Sequence, residues 1–164
     1  WYHGAVRSYE RWGIPEAVQI AIIHQESSFR AAARPPRSRW LGFLPGARPS
    51  SAYGYGQVLD PTWERYRRAT GRGDASRDEF ADVADFIGWY GDEVHRSTGI
   101  AKRDASRLYL AYHEGAGGYA RGSHRSKRWL AGISRKVGAR AARYQRQYDG
   151  CKQQLSGWRA LWPL

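Results

Sequence analysis

Cysteine is nearly absent: Cys151 is alone in 164 residues. No internal disulfide is available, and no thiolate metal site has a second ligand. No apolar run is long enough to span a membrane. A signal peptide is also missing and the chain starts at Trp1 without Met, as expected of a mature or trimmed chain whose targeting segment has been removed. Zinc-finger spacing and the aromatic-rich ribonucleoprotein strand motif do not occur. No His, Cys or carboxylate cluster has metal-ligand spacing, so neither metal nor cofactor is expected. Acid is scarce, with 15 Asp and Glu against 27 Lys and Arg, a net charge of +12 and a pI near 10.3. It is also locally absent. No Asp or Glu lies between Glu26 and Asp60, where Arg30, Arg34, Arg37, Arg39 and Arg48 fall, and none lies between Glu114 and Asp149. Such a balance implies an anionic partner, whether nucleic acid, a membrane surface or an acidic polysaccharide.

Aromatic residues, by contrast, are plentiful: eight Trp and eleven Tyr. That excludes a disordered chain, and the length allows one domain with its own core. Tyr and Trp suit both core packing and stacking on sugars or bases. The pattern is mainly helical. A first helix is expected over about residues 15–29, with Pro15 in its first turn. A second is expected from Asp60-Pro61, read as an N-cap followed by proline. A third is expected from Ser76, with Glu79 completing a capping box, and Gly99 is expected to end it. A fourth is expected after Asp104, and a basic helical stretch beyond Gly122.

Glu26 stands out in His24-Gln25-Glu26-Ser27-Ser28-Phe29. Ile14, Val18, Ile22 and Phe29 recur at helical steps. Glu26, four residues after Ile22, therefore projects from the apolar face. A carboxyl group there resists ionisation, and a carboxylic acid still protonated near neutrality suits a general acid. The competing reading is a buried Glu paired with an arginine such as Arg30.

Three further stretches bear on the site. Residues 30–53 contain Pro35, Pro36, Pro45 and Pro49 with Gly42 and Gly46, so a long irregular loop is expected there, and loops of that length are often functional. Its Trp40, Leu41, Phe43 and Leu44 are expected to tuck against the body or to form a lip over a cleft. Tyr53-Gly54-Tyr55-Gly56-Gln57 offers close backbone approach at glycine and an amide suited to a sugar hydroxyl or N-acetyl group. Ala111-Tyr112-His113-Glu114-Gly115 ends the fourth helix. Taken alone, the last two read as a turn and as packing at a helix end.

Their order and spacing say more. Glu-Ser-Ser-Phe, then Gly-Tyr-Gly-Gln ahead of a helix, then Ala-Tyr-His-Glu-Gly resembles the lytic transglycosylases of the soluble-transglycosylase (SLT), lysozyme-like superfamily. The family shows Glu-Ser-x-Phe, Gly-Leu-Met-Gln and Ala-Tyr-Asn-Ala-Gly. The likeness runs over roughly residues 9–144. Tyr55-Gly56 in place of Leu-Met, His113 for Asn and Glu114 for Ala mark a divergent branch.

The resemblance implies a mainly α, lysozyme-like (goose-type) helical domain over residues 1–164, with its motifs within 9–144 and a basic helical stretch over 123–164. It implies a peptidoglycan lyase that cleaves the β-1,4 bond between N-acetylmuramic acid and N-acetylglucosamine and leaves a 1,6-anhydro end. Glu26 would be the single catalytic acid and base. By family position Ser50, Ser51, Tyr55, Gln57, Tyr112 and His113 would line the cleft, and Tyr144 corresponds to a late tyrosine that some members direct at the active site. The implied partner is the peptidoglycan glycan strand, acted on by a monomer in the bacterial periplasm or envelope, with no nucleic acid. Any outer-membrane lipid anchor would lie outside these residues. Two alternatives stay open: a hydrolytic lysozyme, should Glu114 face the cleft, and a non-catalytic basic module that binds envelope polymer or nucleic acid. An outward Glu114 among arginines is expected. His113 is expected either to bond sugar or Glu26, or to cap its helix end as a cation.

Overall fold

A computed structural model describes residues 1–35, 39–40, 44–45 and 50–161, with side chains described over 1–35 and 50–151. The protein is mainly helical. Its helices are α1 (Tyr2–Trp12), α2 (Glu16–Ser27), α3 (Asp60–Thr70), α4 (Phe80–Thr98), α5 (Ala105–Ala120) and α6 (Arg128–Leu161), with a 3-10 turn at Ser123–Ser126 before the last. Between α2 and α3, β1 (Arg39–Trp40) and β2 (Leu44–Pro45) form a two-residue antiparallel pair, Arg39 opposite Pro45 and Trp40 opposite Leu44. Of the other loop positions singled out in the sequence, Arg37, Phe43 and Arg48 lie outside the described residues.

α2 is the axis of the fold, with α1, α4, α5 and α6 all packed against it. Ile14, Val18 and Ile22 are buried as the helical spacing requires, and Gln19 and Ile23 are buried on its other sides. A helix enclosed in this way is apolar nearly all round. Its last turn emerges from that enclosure carrying Glu26. Burying Ile14, Val18, Ile22 and Ile23 contributes roughly 1.5–3 kcal/mol each.

Two packing devices hold the rest. α1 and α4 approach closely at Gly88, where an added Cβ would overlap the Ser8 hydroxyl and the Trp12 side chain. Ser8 Oγ also donates to the Ala84 carbonyl at 2.8 Å. Beside them the buried Asp85 carboxylate accepts from Trp12 Nε1 at 2.9 Å and Tyr66 Oη at 2.7 Å, and Arg72 pairs with it at 3.2 Å. An ionised carboxylate is tolerated inside a domain only with this degree of pairing. Trp63, Tyr66, Phe86 and Trp89 pack ring on ring around it, with centroids 5.1–5.9 Å apart.

Several helix boundaries differ from the sequence expectations. α1 is an additional helix before α2. α3 has Leu59 as its N-cap, so Asp60 and Pro61 are its first two residues. α4 begins at Phe80 rather than Ser76. The Ser76 hydroxyl does not cap a helix but donates to Asp78, and the Ser76 N–H donates to Asp82 at 2.8 Å. That turn takes the backbone groups the capping box would have used. Gly99 does end α4 with φ 73°, and Asp104 caps α5 by accepting from the Arg107 N–H at 3.0 Å.

Candidate active site

The end of α2 is unusual. Ser28 and Phe29 both take left-handed backbone, with φ 51° and 63°. Two successive non-glycine residues in that region cost of order 1–3 kcal/mol each and persist only where surrounding contacts impose them. Phe29 is fixed by ring contacts with Trp1 and His24. The sharp turn stops α2 one residue after Glu26, and so leaves that carboxyl half-buried at a cleft wall.

The cleft has a volume of about 380 Å³. Glu26 shares it with Gln57, Thr62, Tyr90, Tyr112, His113 and Glu114, over an apolar lining that includes Phe86. Loss of solvent raises the Glu26 pKa to about 7, and a hydrogen bond from Tyr109 pulls it partly back. No ion pair to Glu26 occurs among the described residues, and Arg30 instead donates from Nε to the Ser27 carbonyl at 3.1 Å. The paired-Glu reading is therefore not what the structure shows.

Gln57 enters from the glycine-rich turn. Its own backbone is left-handed at φ 49°, and its side-chain amide donates to the carbonyls of Ala33 and Gly54, both at 2.9 Å. Those bonds fix the amide and leave its carbonyl oxygen as an acceptor. The turn itself is held by Arg77. Its guanidinium donates to the Val58 and Ser51 carbonyls at 2.7 and 3.1 Å and pairs with Asp60 at 2.7 Å. Gly54 is at φ 78°, and an added Cβ there would overlap the Arg77 carbonyl oxygen.

The third wall comes from α5. Tyr112 Oη donates to the Gly56 carbonyl at 2.6 Å, so it joins the turn to the helix. Gly115 breaks α5 with φ 74° and ψ 154°, a combination essentially restricted to glycine. Glu114 lines the cleft, but its carboxylate is taken up by other partners. Its carboxylate accepts from Lys127 Nζ at 2.7 Å and from the Ser123 hydroxyl, and it meets His113 Nδ1 at 3.0 Å. These partners hold its pKa down to about 2, although burial works the other way. His113 thus faces Glu114 rather than Glu26, and its ring lies edge-on to Trp129 at 5.2 Å.

Of the residues implied by resemblance, Glu26, Gln57, Tyr112 and His113 come together at this cleft. The others have different surroundings. Ser50 and Ser51 are exposed and serve the local turn, accepting from the Ala52 and Asp60 N–H groups. Tyr55 is a core residue packed on Phe80 and Trp1. Tyr144 is engaged by His24, whose Nδ1 lies 2.5 Å from the Tyr144 hydroxyl. Tyr109, absent from the sequence reading, holds Glu26 instead. Three residues before Tyr112 on a helix, it shares that residue's face, but that spacing alone gives its hydroxyl no partner.

The sequence profile of the transglycosylase SLT domain matches residues 1–151. The chain belongs to the transglycosylase SLT domain family. No curated protein and no solved structure gives a significant match. Membership carries the lysozyme-like helical fold, transglycosylase activity in general and peptidoglycan as the class of substrate. In this SLT domain the Arg77-braced turn and α5, joined by the Tyr112 hydrogen bond to Gly56, bring Gln57 and Tyr112 to the cleft that holds Glu26.

Proposed function

We propose that the protein is a lytic transglycosylase that cleaves the β-1,4 bond between N-acetylmuramic acid and N-acetylglucosamine without water. The observation that carries this reading is the inequality of the two carboxyl groups at the cleft. Glu26 titrates near 7, whereas Glu114 is held ionised by Lys127, Ser123 and His113. A two-carboxylate glycosidase needs both groups facing the scissile bond, about 5–9 Å apart. Here the second carboxylate is turned to its own ion pair, and its low basicity makes it a poor activator of water.

In the first step Glu26 gives its proton to the glycosidic oxygen as the bond from that oxygen to muramic C1 breaks. The leaving N-acetylglucosamine departs with a free 4-hydroxyl. The substrate's N-acetyl oxygen stabilises the positive C1. In the second step the muramic C6 oxygen bonds to C1, and its proton returns to the Glu26 carboxylate. The acid is restored and no water is consumed. Tyr109 suits this exchange because its hydrogen bond steadies the carboxylate between the two proton transfers. Gln57 and Tyr112 border the space a sugar ring would fill. The substrate implies the bacterial envelope as the place of action.

Digestion of cell-wall sacculi by wild type and Glu26→Gln, followed by mass spectrometry, tests the reading. Anhydro ends made by wild type alone are expected. Products heavier by one water would instead identify a hydrolase.

A further inference from the structure

The charge on α6 is distributed in a way that catalysis at Glu26 does not use. Counting about 100° per residue, Arg128, Arg135, Lys136, Arg143 and Arg146 fall within about 100° of arc. Leu130, Val137 and Ala141 point the opposite way and are buried. All five cations are exposed, and none makes an ion pair among the described residues. Elsewhere several arginines are paired, among them Arg65 with Glu93, Arg67 with Glu64, Arg72 with Asp82, and Arg96 with Asp92. The stripe from Arg128 to Arg146 is about 27 Å long. Its near end reaches the cleft rim, where the exposed Trp129 meets the ring of His113.

We propose that this outer face of α6 is a docking track for the carboxylate-bearing stem peptides of the glycan strand whose backbone occupies the cleft. The proposal rests on the transglycosylase reading. A straight row of unpaired cations matches a linear polyanion, and its continuity with the cleft through Trp129 and His113 makes that polyanion the substrate strand itself. An anionic membrane fits less well. A helix lying on lipid inserts its apolar face, and here that face is already spent on the core. Trp129 supplies a flat ring at the point where a strand leaving the cleft would pass.

The test uses the full chain with Arg135, Lys136 and Arg143 all replaced by Gln. Turnover is measured on glycan strands bearing stem peptides and on the same strands with the peptide carboxylates converted to neutral amides, at low and high salt. At low salt the triple variant should lose roughly tenfold in kcat/KM on peptide-bearing strands, through KM, because a like-signed surface concentrates an oppositely charged ligand by about that factor or more. High salt should abolish the difference, and the amidated strands should be cleaved as by wild type. Equal loss on both substrates, or no loss on either, overturns the proposal. Co-sedimentation with sacculi in a Glu26→Gln background separates docking from chemistry. Binding that falls with the three charges while wild type makes no anhydro product would sink the catalytic reading and leave the track standing. Charge-dependent binding to anionic lipid vesicles, with none to sacculi, would replace the track with a membrane surface.

Discussion

Tyr109, one turn before Tyr112 on α5, is the phenol hydrogen-bonded to Glu26, while Tyr144 is taken up by His24. The Glu26 carboxyl is therefore steadied from the same helix that carries the Tyr112 link to the glycine-rich turn. It receives its proton-tuning contact from within the wall of its own cleft.

Replacing Glu26 by Gln removes the proton donor while keeping nearly the same volume. Turnover of sacculi should fall by about a hundredfold to ten-thousandfold, the range ascribed to general acid–base catalysis. Circular dichroism and thermal melting should show a folded protein at least as stable as wild type at pH 8, because the variant has no desolvated carboxylate to bury. A folded variant that still releases muropeptides at the wild-type rate would remove Glu26 from the acid role.

The raised pKa of Glu26, about 7, sets a pH limit. The acid must be protonated to act, so kcat/KM should fall about tenfold per pH unit above 7. The Tyr109 hydrogen bond favours the carboxylate. Tyr109→Phe should therefore raise the Glu26 pKa further and move that alkaline limb to higher pH, with lower turnover throughout. The same group enters stability with a definite sign. Its pKa is higher folded than unfolded, so its stabilisation is complete below about 4.5, the ordinary carboxylate value, and is lost as pH rises through about 7. Denaturant midpoints measured between pH 4.5 and 7 should show this slope in wild type and lack it in Glu26→Gln.

Glu114 titrates in the opposite direction. Its carboxyl, held down to about 2 by Lys127 and Ser123, stabilises the fold above the ordinary carboxylate range and loses that contribution as pH falls through about 2. Glu114→Gln should leave anhydro products unchanged and reduce turnover less than tenfold. Disappearance of a hydrated product series in this variant would instead reveal Glu114 as a water-activating base.

Gly54→Ala should misplace Gln57. The new methyl meets the Arg77 carbonyl oxygen on backbone already at φ 78°, and strain of about 1–3 kcal/mol is expected. The thermal midpoint should drop. Turnover should drop further than that loss predicts when assayed well below the midpoint, because the turn carrying Gln57 must shift. Unchanged kinetics with a lowered midpoint would detach the turn from the chemistry.

The legible parts of the site were those whose chemistry is local. Glu26 was readable because a carboxyl sat in register with Ile14, Val18 and Ile22, and Gln57 because glycines surrounded it. Tyr109 was not, because a tyrosine in a helix ordinarily packs the core, and only the position of α2 across from α5 gives its hydroxyl a partner. Ser50, Ser51 and Tyr55 were read as cleft residues from their place in a motif. In the structure two of them satisfy neighbouring N–H groups and the third fills the space beside Phe80. Ser76 carried a capping signature, but Asp78 and Asp82 compete for the same donors, a contest that spacing alone does not decide. The carboxylate of Glu114 depends on Lys127, thirteen residues away across a break in the helix.

The hydrogen bond between His24 and Tyr144 spans 120 positions of chain. α2 is made early, yet every helix that encloses it except α1 is made later. A nascent chain carrying Glu26 therefore has the proposed acid but no cleft, since Tyr109, Tyr112 and the partner of His24 have still to emerge. Contacts so distant in sequence form late in folding, and the activity they assemble should switch on with the docking of α6 rather than grow by degrees during synthesis.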